Sequence, residues 1–299
     1  MEKIKLTANI LFSGIGCQER GFRNSDLYDM DVITTSDIDM DAILIYATIH
    51  CGLTPRMVKT FPCPPMEKMI SDLENMNIGY DPKKDKPYNW KARRKQEEFV
   101  KKYWIACYIS NNKGDISRIK SLPYADFWTV SFPCQSISLA GKMHGFEPDS
   151  GTRSSLLWEN MRLLKDAIDN DKAPKYIMFE NVKNLVGAKF KQDFEILLDI
   201  LSDFGYNTYW KVLNASECGI PQNRERVFAI CIRKDIDTGK YEFPKPFKLK
   251  IRLDDLLEEG PLNECYYINA SNEEKLIQKL IDDGSIQKIK NEYSKYNKD

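Results

Sequence analysis

Four side chains in this sequence are placed to do chemistry: a thiol, a carboxylate and two guanidinium groups, each beside an apolar run that reads as a strand. Cys134 stands near the end of Asp126-Phe127-Trp128-Thr129-Val130-Ser131-Phe132-Pro133-Cys134-Gln135. Residues 127–132 read as a short strand, with Asp126 as a turn residue before it. Pro133 ends the ladder because it has no N–H. A thiol on the loop leaving the carboxyl end of a strand sits where open α/β sheets bind ligands. It is either a nucleophile, which needs a lowered pKa, or a small buried hydrophobe, the commoner fate of a free cysteine. Lys175-Tyr176-Ile177-Met178-Phe179 reads as a second buried strand, ending in Glu180-Asn181-Val182. A carboxylate on the loop after a core strand has no structural need, since burying an unpaired charge is costly. Arg224-Glu225-Arg226 leads into the apolar run 227–232. In a strand the two arginines share a face. That suits a phosphate or a developing negative charge, or a pair of surface salt bridges.

A second set points to a ligand with a nucleoside. The run 6–12 reads as a buried first strand, followed by Ser13-Gly14-Ile15-Gly16 and a helix over 17–22. Strand, Gly-x-Gly, helix opens many nucleotide sites because glycine lets the backbone turn tightly and approach a ligand. Position 19 is Glu, so the full GxGxxG is absent, and a plain strand-to-helix turn reads equally well. Residues 31–36 read as the second strand. Asp37 follows at the distance where an acid would hold a ribose hydroxyl pair, and Asp39 caps a helix over 40–49. Asp115 in Gly114-Asp115-Ile116 either touches a ligand or caps the next turn.

Alternating strands and helices must position these residues. A helix over 154–169, a helix over 190–204 closed by Gly205, a strand over 206–212 and a loop over 215–223 complete the pattern. The fold class expected is α/β with a mostly parallel sheet. Residues 136–149, with Gly141, Gly145 and Pro148, form a candidate lid over the thiol, and His144 lies there. Residues 50–112 are the least legible part, and Cys63 in a second Phe-Pro-Cys is incidental. Within it, residues 81–102 interleave lysines and arginines with Tyr88, Trp90 and Phe99. Such a stretch is a phosphate-backbone surface or, more often, a solvated helix face over an aromatic core stripe. After Asp235 come a Pro-punctuated linker over 240–247, a short helix over 253–257 and a helical pattern over 273–289 broken by Gly284.

The totals are consistent with one large domain, or one domain and part of another, in 299 residues. Lys+Arg and Asp+Glu are equal at 44 each, so no global charge advertises nucleic acid, though a groove can still be basic. None of the eight cysteines has CxxC spacing and there are two histidines, so no metal site is expected. The start is too polar and short for a signal peptide or membrane span. The reading is a reduced, cytoplasmic, soluble protein with no membrane partner.

Taken together, Leu11-Phe12-Ser13-Gly14-Ile15-Gly16, Asp37, Gly114-Asp115-Ile116, Ser131-Phe132-Pro133-Cys134-Gln135, Glu180-Asn181-Val182 and Gln222-Asn223-Arg224-Glu225-Arg226 resemble the large domain of the DNA cytosine-5 methyltransferases. The six features keep the family's order and span residues 6 to about 235. The resemblance implies a Rossmann-like S-adenosylmethionine-dependent methyltransferase fold with helices on both faces of the sheet. It implies Cys134 as nucleophile at C6 of a flipped-out cytosine, Glu180 at N3 and the exocyclic amine, and Arg226 at the base with Arg224 supporting the loop. S-adenosylmethionine would lie over Phe12, Gly14, Ile15, Asp37, Ile38, Asp115 and Ile116, with Pro133 and Leu156 closing the pocket. Gln135 and Asn181 would support the site. The partner implied is double-stranded DNA, in a prokaryotic or phage-host cytoplasm and with a restriction-modification, phage or regulatory role.

Several departures stand beside it. Ile10 replaces the usual acid, Asp37 replaces the commoner Glu, and Ile38 replaces an aromatic. Residues 50–112 make a longer insertion than many relatives carry. Residues 1–235 are expected to be the catalytic domain and 236–299 a linker and the start of an incomplete target-recognition region. No late Gly-Asn motif follows. The chain is then one subunit of a split enzyme with a second protein chain, a truncated piece or a degenerate relative. A transfer-RNA cytosine-5 methyltransferase is an alternative with the same thiol. An NAD-type dehydrogenase leaves the thiol, carboxylate and arginines unexplained.

Overall fold

In the computed structural model, which describes residues 2–132, 155–188, 190–257 and 270–282, the first strand is the one the others flank. β1 (Ile4–Leu11) ends in the buried run Ala8, Asn9, Ile10, Leu11. It pairs in parallel with β2 (Tyr28–Ser36) on one side and β3 (Phe127–Val130) on the other. β4 (Tyr176–Val182) continues in parallel beside β3. β5 (Tyr206–Asn214) and β6 (Glu225–Arg233) then close one edge as an antiparallel pair, giving the order β2-β1-β3-β4-β6-β5. The α/β class and the mostly parallel sheet expected from the sequence are what the chain adopts. The chain leaves β1 on one side and returns on the other, so the carboxyl ends of β1 and β3 flank a topological switch point, where such sheets take ligands.

Helix α1 (Cys17–Arg23) follows β1, and α2 (Met40–Cys51) follows β2. α3 (Pro55–Thr60), α4 (Met66–Asn75) and α5 (Glu97–Ile109) occupy the 50–112 insertion. α6 (Ser155–Asp169) precedes β4 and α7 (Lys191–Asp203) precedes β5. Period-two alternation sends Trp128, Val130, Ile177 and Phe179 to one face, where Leu157, Met161 and Leu164 of α6 and Leu197 and Leu201 of α7 cover them. Each such fully buried aliphatic side chain contributes about 1.5–3 kcal/mol. Ala8, Ile10 and Phe127 face the other way, and Phe22 of α1 meets the Phe127 ring edge-on with centroids 5.0 Å apart.

The insertion packs Met69, Leu73, Ile78, Trp90, Val100 and Tyr103 into a core shared with Ile43 and Ala47 of α2. The aromatic stripe of residues 81–102 goes into that core, while Lys83, Lys84, Lys86, Lys91 and Lys95 stay exposed. Lys84, Lys91 and Lys101 pair with Asp81, Glu74 and Glu97. Arg93 lies over Tyr88 and Phe99, 5.8 and 5.5 Å from the ring centroids. This is the solvated-face arrangement.

Local signals set several boundaries. Asp39 caps α2 by accepting the Ala42 N–H at 2.8 Å. Gly205 follows α7 at φ 88, the left-handed turn a glycine supplies cheaply. Two expectations need correcting. Glu180 is not on a loop: β4 runs on through Val182, because β6 pairs with it out to Val182–Arg226. Arg224 does not share a strand face with Arg226, because β6 begins at Glu225 and Arg224 lies in the turn, where its carbonyl accepts the Ala215 N–H.

At the amino end of β3, Asp126 ties three strands. Its Oδ2 accepts the Thr7 N–H at 3.0 Å and the Thr7 hydroxyl at 2.8 Å. Its Oδ1 faces Lys175 Nζ at 2.9 Å and accepts the Tyr124 hydroxyl. Burial pushes this carboxyl up, but the Lys175 ammonium and the Thr7 and Tyr124 donors together hold it well below the usual carboxylate range. A lowered folded-state pKa stabilises the fold above the ordinary value of about 3.9 and loses that contribution as pH falls through the lower folded value. Asp126→Ala is expected to lower unfolding free energy by about 2–3 kcal/mol. It should also flatten the acid limb of stability against pH, read by urea unfolding at pH 7 and at pH 3. An unchanged midpoint at both pH values would remove this role.

The chain divides into two units, 1–250 and 251–299. Residues 236–250 stay with the first: Tyr241 packs on Tyr209, and the Phe247 N–H donates to the Glu217 carbonyl. In the second, a 3-10 turn spans Leu253–Leu256 and α8 spans Ala270–Asp282, starting ahead of the expected 273. The remainder of the expected 273–289 helix lies outside the described residues. Among the described residues no helix is long and apolar enough to cross a membrane.

Candidate active site

The parallel register puts the ends of β1, β2 and β3 at one edge of the sheet. Leu11 stands opposite Ser36 and Val130, and Val130 opposite Phe179. The residues that follow are Phe12, Asp37 and Ser131, with Glu180 next along β4, so four sequence motifs converge because the parallel register brings these positions level with one another. β6 runs the other way and starts at the same edge, which brings Arg226 there.

The glycine loop turns sharply after β1. Phe12, Gly14 and Gly16 have φ of 57, 52 and 86. The Gly16 N–H closes the turn onto the Ser13 carbonyl, and the Gly14 N–H donates to Asp37 Oδ2 at 2.7 Å. Gly16 must lack a Cβ, since one would overlap the His50 ring. His50 Nε2 lies 3.2 Å from the Ile15 carbonyl oxygen. Behind it is a cluster the sequence did not announce, buried except for Arg23. Tyr46 donates its hydroxyl to Glu19, Arg23 Nε donates to Glu19 Oε1 at 2.7 Å, and His50 Nδ1 is 3.6 Å from that oxygen. The available signal was an acid in the first turn of α1 and the i, i+4 spacing of residues 46 and 50 on α2.

Asp37 holds the loop and keeps acceptor capacity. Besides the Gly14 N–H, it accepts the Asp39 N–H on Oδ1 at 2.9 Å. Burial pushes its carboxyl above the ordinary carboxylate range, and those two N–H groups oppose the shift. Ile38 is half-buried beside it, and Ile15 is 44% exposed. Asn112, a second residue the motifs did not flag, bolts the Gly114-Asp115-Ile116 turn to β2. Its Oδ1 accepts the N–H groups of Asp37 and Gly114, and its Nδ2 donates to the Asp37 carbonyl. Asp115 caps the 3-10 turn Ile116–Arg118 through the Ser117 N–H. The Ile116 side chain is closed into the core, so what it offers a ligand is backbone. Leu156 is half-buried and packs on the same core.

The second half of the site is an ion pair on a strand pair. Glu180 stands opposite Phe228 and Val182 opposite Arg226, so Glu180 and Arg226 are diagonal neighbours on one face. Arg226 Nε lies 3.2 Å from Glu180 Oε1, with side chains 23% and 24% exposed. Among the described residues Arg224 makes no ion pair and is exposed. Asn181 is buried, and its Nδ2 donates to the Phe132 carbonyl at 2.9 Å. On the other side, Gln18 Nε2 donates to Ser131 Oγ at 2.7 Å. The two residues ahead of the Pro133-Cys134 step are thus anchored from β4 and from α1. Pro133, Cys134, Gln135, the 136–149 lid and His144 lie outside the described residues.

A family model for C-5 cytosine-specific DNA methylase matches residues 66–299. The type II methyltransferase M2.ScrFI of Lactococcus lactis subsp. cremoris is 39% identical over 274 residues, 90% of this chain and 72% of the relative. The type II methyltransferase M.HhaI of Haemophilus parahaemolyticus is 37% identical over 147 residues, 48% of this chain and 42% of the relative. The orphan methyltransferase M.SssI of Spiroplasma monobiae is 30% identical over 260 residues, 85% of this chain and 66% of the relative. The chain therefore spans between 42% and 72% of the length of these three relatives.

Proposed function

Because the chain belongs to the C-5 cytosine-specific DNA methylase family, we propose that it transfers a methyl group from S-adenosylmethionine to C5 of cytosine in double-stranded DNA. The observation that carries this reading is the meeting, at one sheet edge, of the glycine loop with Asp37 and the Glu180–Arg226 pair with the anchored approach to Cys134.

The residues present suit S-adenosylmethionine. Each Asp37 oxygen already takes one N–H, and a carboxylate has about four acceptor sites, so capacity remains for a hydroxyl pair. Among the described residues a Cβ at Gly14 would meet nothing within 4 Å, so on their side the loop is open where a ligand would approach. Phe12, Gly14, Ile15, Asp37, Ile38, Asp115 and Ile116 would hold the group, with Pro133 and Leu156 closing the pocket. S-adenosylmethionine supplies the electrophilic sulfonium methyl.

The chain's own residues make C5 reactive. Cytosine C5 is a poor nucleophile, and the base must first leave the duplex stack, at a cost of a few kcal/mol. The Cys134 thiolate adds to C6, its electron pair forming the S–C6 bond while density moves towards N3 and C5. Glu180 hydrogen-bonds N3 and the exocyclic amine and stabilises that density. Arg226 orients Glu180, Arg224 supports the turn, and Asn181 and Gln135 support the loop. Once C5 carries the methyl group, its proton passes to solvent water and the electron pair left behind forms the C5–C6 double bond as the C6–S bond breaks, returning the Cys134 thiolate and 5-methylcytosine. We assign catalysis to residues 1–235, and to 236–299 a linker leading towards target recognition, in the cytoplasm of a bacterial or phage-infected cell. A restriction-modification role fits the type II names of two of the relatives. The family description names DNA, which favours it over transfer RNA as acceptor.

The test is transfer of a labelled methyl group from S-adenosylmethionine to unmethylated duplex DNA, with transfer RNA in parallel. Label in cytosine of the duplex alone is the expected result. Label in RNA alone, or in neither, would overturn the reading. A pH dependence follows as well. Hydroxyl donors favour ionised Asp37, so binding releases a proton, and S-adenosylmethionine affinity should fall as pH falls through the raised Asp37 pKa. Asp37→Asn should weaken binding about tenfold and flatten that dependence. Calorimetric titrations across the acid range check both, and a parallel decline in the variant would remove Asp37 from the ligand.

A further inference from the structure

The geometry points to Asn77 as a positioning residue for the Asp115 carboxylate, with residues 76–79 of the 50–112 insertion forming a wall of the cofactor pocket. This rests on the proposal that Asp37, Ile38 and Asp115 hold S-adenosylmethionine. From sequence, the insertion offered a phosphate-backbone surface or a solvated helix face over 81–102, but no part in the cofactor pocket. In the fold its α4 ends against both halves of that pocket. The Gly79 N–H donates to the Ile38 carbonyl at 2.8 Å, and the Asp115 N–H donates to the Met76 carbonyl at 2.9 Å. Gly114 is at φ 73, and a Cβ there would overlap the Met76 carbonyl, so the two turns touch backbone to backbone.

Asn77 sits between these contacts. It is 7% exposed and has φ 58, a left-handed conformation that asparagine tolerates better than most residues. Its Nδ2 donates to Asp115 Oδ2 at 2.7 Å. Oδ1 of the same carboxylate accepts the Ser117 N–H at 3.0 Å and the Ser117 hydroxyl at 2.7 Å. Three donors from two elements fix the plane of Asp115, and the acceptor site left on Oδ2 has one direction. A carboxylate held this way meets an amine or hydroxyl of a nucleoside without first losing rotamer freedom. The turn is itself held from the insertion core: Trp90 Nε1 donates to the Ile78 carbonyl at 2.8 Å, and Ile78 is buried. The insertion core thus extends, through Ile78 and Asn77, to a carboxylate of the candidate site.

Two substitutions separate positioning from folding. Asn77→Gly keeps the left-handed turn and deletes the donor. Asn77→Asp keeps size and backbone preference but sets a carboxylate against Asp115. S-adenosylmethionine dissociation constants would be measured from pH 5 to 8.5 by calorimetry, with thermal melting of each protein. Asn77→Gly should weaken binding about tenfold at every pH. Asn77→Asp should weaken it most at high pH and recover towards the unaltered chain at low pH, where the two carboxyls share a proton. A purely structural role would lower the melting temperature without that convergence. Wild-type affinity in both variants would overturn the inference and leave the proposed function standing. Failure of the unaltered chain to bind would overturn the proposed function, and the inference with it.

Discussion

Cys134→Ala is expected to lower methyl transfer by about 10^4-fold or more while leaving S-adenosylmethionine binding nearly intact. The loss is large because alanine offers no nucleophile to form the bond to C6. Without covalent addition, C5 lacks the electron density to take a methyl group. Binding survives because the residues proposed to hold the cofactor, Asp37, Ile38 and Asp115, are positioned by the glycine loop, Asn112 and the insertion, none of which depends on the thiol. Alanine at this position removes one sulfur, and the chain leading up to it is held by Asn181 at the Phe132 carbonyl and by Gln18 at Ser131. The measurement is single-turnover transfer of labelled methyl to unmethylated duplex DNA, beside a calorimetric titration of the same protein. Transfer at the unaltered rate would end the assignment of Cys134. Lost binding together with lost transfer would move the thiol from chemistry to cofactor-pocket structure.

Glu180→Gln should lower kcat by about 10^2–10^3-fold. Glutamine preserves the length and one acceptor, so the base can still enter. It removes the carboxyl group that can share a proton with N3 as density shifts there, while its amide still offers an NH2 to the N3 lone pair and an oxygen to the exocyclic amine. In the fold, Oε1 faces Arg226, and among the described residues Oε2 accepts no hydrogen bond, which leaves it for the base. The variant also leaves Arg226 without its counter-ion. Both side chains are about one-quarter exposed, so that change costs about 1 kcal/mol or less in stability. A fall in kcat at nearly unchanged melting temperature is the expected pattern. An unchanged kcat would remove Glu180 from the chemistry, and a collapse of the melting temperature would make the pair structural.

Much of this arrangement was legible in the residues themselves. Apolar runs of strand length bounded by turn residues located each strand of the sheet, because alternation and the missing N–H of proline are local properties. The motif order around Phe12, Asp37, Asp115, Cys134, Glu180 and Arg226 carried the family, because its chemistry needs those side-chain types at strand ends. Asp39 as a helix cap and Gly205 as a helix stop are likewise decided within a few residues. Other features depended on partners far away in the chain. That Glu180 belongs to β4 itself follows from pairing with β6, about 45 residues later, whose antiparallel register is a property of the assembled sheet. The same register chose Arg226 over Arg224 as the carboxylate's neighbour.

The amino-acid sequence by itself determined the α/β class, the strand ends that carry the family's motifs and the family, since each is written in short contiguous patterns. The tertiary structure alone decided where the 50–112 insertion packs and which distant side chains hold Asp115 and Asp37 in place. Asn77 reaches Asp115 across 38 positions, Asn112 reaches Asp37 across 75, and His50 reaches Ile15 across 35. Hydrogen bonds of this kind satisfy buried polar groups only after the chain has closed its long loops, so no local pattern encodes them.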